Sequence, residues 1–220
     1  MTFEALQQAA AFWNSAAEDF DSIYTGANKN AWWRFLDRVF RKDIYQRHDW
    51  VMDRCEDLRG KTVCDIGCGP GHFMTEFARR GAAVSLGLDI APNMLALARS
   101  RVLREGISDR CEFALSDVVH WETDRTFDIT LAIGLWDYID DPRPQLRHIR
   151  RLTRGKFLSA WPRLWTWRMP VRKVRVQYLR GCPVYFYGRA EIYRLLENAG
   201  FSVSGCDTVG KLFCVEARPK

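Results

Sequence analysis

The stretch Thr62–Gly71, TVCDIGCGPG, constrains the fold more than any other part of the chain. An apolar run ends in an acid, Asp65, and then breaks into three alternating glycines, Gly67, Gly69 and Gly71. A second apolar run, Ala83–Asp89, AVSLGLD, also ends in an acid. Runs that are apolar on successive residues suit strands buried on both faces, and such strands belong to parallel sheets. The two runs therefore deliver a bare backbone loop and a carboxylate to the same sheet edge. Glycine lets the chain turn tightly there and lets a ligand touch the main chain, while the helix expected over roughly 71–80 points free N–H groups at the same spot.

Spacing separates two nucleotide-loop readings. A dinucleotide fingerprint needs glycines at the first, third and sixth positions. Counted from Gly67 the sixth position is His72, and counted from Gly69 it is Met74, so both frames fail. What stands here is D-x-G-x-G-x-G headed by Asp65, followed by Asp89 and by Asp117 at the close of a third apolar run, CEFALSD. This set resembles the class I S-adenosylmethionine (SAM) dependent methyltransferases, of the ubiquinone and Mg-protoporphyrin small-molecule type. The resemblance covers about 61–220, with its specific part at 62–117.

The order of elements agrees with that family. Helices are expected at 73–80, closed by Gly81, at 92–104, opened by Pro92 and closed by Gly106, at 142–152, and at 189–199, closed by Gly200. A first strand follows Gly60 and Lys61 and ends in Asp65, and further strands are expected at 83–89, 111–117, 127–134 and 156–161. A final pair near 201–207 and 212–217 is joined by a turn at Gly210. Strands separated by helices make a parallel sheet, and the last pair must be antiparallel. The fold class is α/β. The resemblance implies a Rossmann-like, seven-stranded, mostly parallel sheet with helices on both faces, an antiparallel C-terminal hairpin and an N-terminal helical lid.

The chain divides into 1–60, a helical substrate cap, and 61–220, the SAM-binding domain with a basic aromatic insert at about 162–188. Within the cap, helices are expected at 4–17 and 30–55, with the turn-rich DFDSIYTG between them. The start is acidic and has no basic segment leading into an apolar stretch, so it does not read as a signal peptide. No apolar run is long enough to span a bilayer. The seven cysteines show no C-x-x-C spacing and no histidine cluster, which argues for a reducing cytoplasm and no metal.

The resemblance implies roles for particular residues. Asp65 supports the loop and helps hold the methionine part of SAM. The backbone of Gly67, Cys68, Gly69 and Gly71 packs on that part. Asp89, with Ile90 beside it, takes the ribose hydroxyls, and Met94 stacks by the adenine. Asp117 and Val118 read the adenine amine, and Ile133 and Gly134 line the methyl-transfer face. The loop GLWDYIDD follows the fourth strand at the switch-point edge and lacks the N/D-P-P-Y/F signature of exocyclic adenine and glutamine methylation. Tyr138 and Asp137 are candidates to orient a nucleophile or accept a proton, and His120 is a candidate base. Substrate candidates are Leu135, Trp136, Tyr24 and Trp32 of the cap, and Arg163, Trp165 and Tyr185 of the insert. Aromatics at helical spacing are equally readable as core.

Net charge is +6, and no Asp or Glu occurs between Pro142 and Ala190. That span interleaves arginines with tryptophans and tyrosines. A solvated basic face, a lid over an anionic small molecule, an anionic membrane surface and RNA all remain open for it, as does a homodimer. The expected function is metal-free methyl transfer to an oxygen or nitrogen of a small aromatic or anionic metabolite. The alternatives are a non-catalytic SAM-binding partner of another enzyme, and an RNA methyltransferase.

Overall fold

In the computed structural model the residues described are 3–25, 42–55, 57–164 and 182–220. They form helices α1 (Phe3–Thr25), α2 (Lys42–Arg54), α3 (His72–Arg79), α4 (Pro92–Arg104), α5 (Arg143–Leu152) and α6 (Arg189–Asn198). The strands are β1 (Thr62–Ile66), β2 (Val84–Asp89), β3 (Cys111–Leu115), β4 (Phe127–Ile133), β5 (Thr153–Pro162), β6 (Phe201–Val209) and β7 (Leu212–Pro219). All seven strands join one sheet in the order β3-β2-β1-β4-β5-β7-β6. The first five are parallel, and β7 runs antiparallel to both β5 and β6. This is the expected Rossmann-like sheet with its closing hairpin.

The continuous apolar runs are explained by burial on two faces, because successive strand residues point to opposite sides. On one face Ile66, Ala132 and Phe157 join Leu146 and Ile149 of α5 and Ile192 and Leu196 of α6. On the other, Val63, Leu131 and Leu158 join Trp50 and Val51 of α2 and Phe73 and Phe77 of α3. Asp65 pairs with Gly87 of β2 and Leu131 of β4. The chain order reverses between β1 and β4, the place where ligands bind in open α/β sheets.

Several boundaries differ from the sequence expectation, three of them near the site or the cap. Helix α1 continues through Asp19–Thr25, where a turn was expected. No glycine or proline interrupts 3–25, and Asp21 is tied to the body of the protein by Arg101. Strand β3 stops at Leu115, so Ser116 and Asp117 lie in the loop beyond it. The described part of the helix expected at 30–55 is α2, Lys42–Arg54. Trp32 and Trp165 lie outside the described residues, as does the amphipathic stretch 165–178.

One buried polar pair locks α5 to the sheet. The Thr153 hydroxyl donates to the Ile149 carbonyl at 2.7 Å, and the Thr130 and Thr153 hydroxyls stand 2.7 Å apart. Both side chains are enclosed. Thr153→Val keeps the shape but strands the Thr130 hydroxyl, while the Ile149 carbonyl keeps the backbone N–H of residue 153. Urea unfolding is expected to show a loss of about 1–3 kcal/mol; an unchanged midpoint would contradict this role.

Candidate cofactor and methyl-transfer site

The loop after β1 is built from left-handed backbone. Gly67, Gly69 and Gly71 have φ of 74°, 53° and 75°, values that residues with a Cβ adopt rarely. The loop is stitched to β2, with the N–H groups of Gly67 and Cys68 both donating to the Leu88 carbonyl at 2.8 and 3.0 Å. Close packing reinforces the glycine requirement. A Cβ on Gly71 would stand 2.9 Å from the Ala98 Cβ, and one on Gly87 would stand 2.2 Å from the Met74 sulfur. Gly71 caps α3, whose first N–H groups face the loop.

Asp89 ends β2 and is 8% exposed. One carboxylate oxygen accepts the Gly69 N–H at 2.8 Å and the other accepts the Ala91 N–H at 2.9 Å. Burial raises its pKa, and the N–H groups of Ala91, Gly69 and Ile90 oppose that rise. Asp89 therefore holds the glycine loop and the start of α4 in register, and each oxygen keeps a lone pair for a ligand. Met94, on the first turn of α4, packs with Ala91 and with Ala17 of α1.

Asp65 is enclosed, and its Oδ2 has no hydrogen-bond partner among the described residues. Burial first, then the charge of Asp89, pushes its pKa up to about 7, while Arg47 pulls it down. A buried carboxylate oxygen without a donor is costly, so this atom is ready for a cationic or N–H donor group.

Arg47 is the residue that sequence reasoning missed. It lies on α2, which is fixed at its C-terminal end. The Trp50 indole N–H donates to Asp207 at 2.9 Å, Arg54 donates to Asp207 at 2.6 Å, and Lys156 donates to the Arg54 carbonyl at 2.7 Å. The first half of α2 then reaches the carboxyl ends of β1 and β4. There a Cβ on Gly134, whose φ is 88°, would stand 3.2 Å from the Arg47 guanidinium. No local signal in QRHDW marks this residue, because its position depends on how α2 crosses the sheet.

The loop after β4 carries the other candidates. Trp136 is wholly buried, its ring stacked on Trp161 at 4.1 Å and 4°. That placement in the core corrects its expected role against the substrate. Tyr187 meets Trp161 edge-on at 5.0 Å and donates its hydroxyl to the Ile139 carbonyl. The anchored turn presents its neighbours instead. Leu135 lies 3.6 Å from where a Gly67 Cβ would stand. Tyr138 meets Trp13 of α1 edge-on at 5.3 Å and Phe12 at 6.3 Å.

The remaining candidates have these neighbours. Asp137 is enclosed, its carbonyl accepting the Tyr185 N–H at 2.9 Å. His120 has a side chain 73% exposed and sits 3.4 Å from Asp117, a turn contact in the loop beyond β3. Val118 and Ile133 are buried, each in the core of one sheet face. Arg163 donates to the Gly210 carbonyl at 2.8 Å and lies over the Phe213 ring, which ties it to the β6–β7 turn. Tyr24 falls on α1 with its side chain outside the description. Among the described residues no group of His, Cys, Asp and Glu could hold a metal ion, and no helix is long and apolar enough to cross a membrane.

Residues 63–156 match the model of a methyltransferase domain family. Over these residues the chain is similar to a methyltransferase domain. Within this domain the match runs from β1, through the glycine loop and Asp89, into β5. Over 108 residues the chain is 32% identical to the ubiquinone biosynthesis O-methyltransferase of Aeromonas salmonicida, covering 49% of the chain and 45% of that protein. It is 32% identical over 128 residues to the sterol 4-C-methyltransferase strm-1 of Caenorhabditis elegans, covering 57% of the chain and 38% of the relative. The chain thus spans about half the length, or less, of these curated relatives. The fold matches magnesium protoporphyrin IX methyltransferase from Synechocystis PCC 6803, solved with bound S-adenosylhomocysteine (SAH). The TM-score is 0.79 at 21% identity, over 96% of this chain and 98% of that one.

Proposed function

We propose that the protein transfers a methyl group from SAM to an oxygen of a small, largely apolar aromatic molecule. The observation that carries the acceptor class is the aromatic wall of Phe12, Trp13 and Tyr138 beside Leu135 and the glycine loop. The curated relative acting in ubiquinone biosynthesis favours oxygen over nitrogen.

SAM supplies an electrophilic methyl group on a sulfonium centre. The residues here fit it. The left-handed glycines leave the main chain open to close approach, Asp65 Oδ2 awaits the amino group of its methionine part, and the two oxygens of Asp89 have lone pairs for ribose hydroxyls. Arg47, whose charge acts on Asp65, suits the carboxylate of the same methionine part, so the zwitterion meets one charge of each sign. Leu135 and Tyr138 exclude water from the reacting end and hold the acceptor plane in line with the methyl group. Asp137 and Tyr138 are adjacent in one turn of 3₁₀ helix, and Tyr138 is the one facing the aromatic wall. Alignment supplies most of the rate in this reading, with Tyr138 a hydrogen-bond partner for the acceptor oxygen.

A screen of phenolic and carboxylic aromatic acceptors with methyl-labelled SAM tests the proposal. Label on oxygen, lost in Tyr138→Ala and retained in part by Tyr138→Phe, is the expected result. Label on carbon or nitrogen only would overturn the acceptor assignment.

A further inference from the structure

Among the described residues, helix α1 touches the methyltransferase domain through three sets of contacts, and each reaches a residue assigned above to the cofactor or acceptor or the loop that carries such residues. Its Phe12 and Trp13 meet Tyr138. One turn on, Ala17 packs against Ala91 and Met94, and Asn14 and Asn93 join by two hydrogen bonds. The Asn93 backbone N–H donates to the Asn14 side-chain oxygen at 3.0 Å, and the Asn93 side-chain amide donates to the Asn14 carbonyl at 3.0 Å. Helix α4 has Ala91 at its N-cap, which offers no side-chain acceptor. Asn14 therefore caps α4 from another helix.

The third set is ionic. Arg101, on the last turns of α4, donates to Asp21 of α1 through one guanidinium nitrogen and to the Pro70 carbonyl through Nε at 2.9 Å. Pro70 lies between Gly69 and Gly71, inside the cofactor loop. The Arg101 side chain is 12% exposed and that of Asp21 is 20% exposed. His72, first residue of α3, brings its Nε2 to 3.3 Å from both. Burial, with the charges of Arg101 and His48, pushes the His72 pKa down to about 3. The ring is therefore neutral at physiological pH and adds no second cation beside Arg101. One guanidinium thus spans the lid helix and the loop that meets the cofactor, in a planar fork that an ammonium cannot reproduce.

We propose that Arg101 is a positioning residue that couples cofactor binding to closure of α1. The same docking brings Phe12 and Trp13 to Tyr138, so the coupling reaches the acceptor wall as well. This rests on the cofactor reading above. In physical terms it is a reciprocal coupling: a ligand that orders the loop around Pro70 favours the docked α1, and a docked α1 favours the ligand by the same factor.

The full chain, with and without SAH, is tested by calorimetry and by hydrogen exchange read over residues 3–25, as wild type, Asp21→Asn and Arg101→Lys. In the wild type, SAH is expected to slow exchange in α1. Both variants are expected to keep the far-ultraviolet circular dichroism of the wild type, to bind SAH roughly five- to tenfold more weakly, and to lose the slowing in α1. Asp21→Glu, which keeps the carboxylate, restores part of both effects. Wild-type affinity together with wild-type slowing in both variants would overturn the coupling. A wild type that binds no SAH at all would overturn the cofactor reading and this inference with it, and is told apart because the calorimeter then shows no binding for any form.

Discussion

Replacing Asp89 by alanine is expected to weaken binding of SAM and SAH by at least about 100-fold, close to 3 kcal/mol. Two separate losses add up to this figure. The carboxylate no longer offers charge-assisted acceptors to the ribose hydroxyls. It also no longer accepts the N–H groups of Gly69 and Ala91, and leaving two such donors without an acceptor at a buried site costs about 1–3 kcal/mol each. The second loss loosens the glycine loop and the start of α4 before any ligand arrives. Asp89→Asn is expected to recover little, since its amide NH₂ must face one of the two N–H donors. Calorimetric titration checks this, and an Asp89→Ala protein that binds SAH within threefold of wild type would contradict the assignment.

The second large effect is one of pH. The Asp65 pKa is pushed up to about 7 by burial and by the charge of Asp89. Because its folded-state pKa is raised above the ordinary 3.8, the stability it contributes is fully present below 3.8 and is lost as pH rises through 7. A ligand carrying an ammonium group has the opposite preference and favours the ionised form. Below pH 7 the site must release a proton to bind such a ligand, so affinity for SAM and SAH is expected to fall by about tenfold between pH 8 and pH 6. Asp65→Asn is expected to bind weakly at every pH, with a flat profile. A flat wild-type profile across this range would show that Asp65 does not meet the amino group.

Much of this was legible because it is local. Buried parallel strands write themselves as apolar runs, so β1, β2, β4 and the glycine loop were readable from 62–71, 83–89 and 127–134, and the caps Gly81 and Gly200 from the helix ends that their positive φ values close. What was not legible depends on long-range placement. Asp19–Thr25 has the composition of a turn, yet it continues a helix whose Asp21 is held by Arg101, 80 residues away. Trp136 reads as a substrate aromatic because it follows β4, yet its ring completes a stack with Trp161 and Tyr187 that needs β5 and the segment before α6. Arg47 has no motif at all. Its place is set by the tilt of α2, which Trp50 and Arg54 fix on Asp207.

Binding of SAM and SAH by the wild-type protein tests the cofactor site directly. Calorimetric titration at pH 8 is expected to give one site per chain with micromolar affinity for both, lost in Asp89→Ala. No heat with either ligand, from protein whose circular dichroism shows it folded, would contradict the central claim that the loop of Gly67, Gly69 and Gly71 with Asp65 and Asp89 is a working cofactor site.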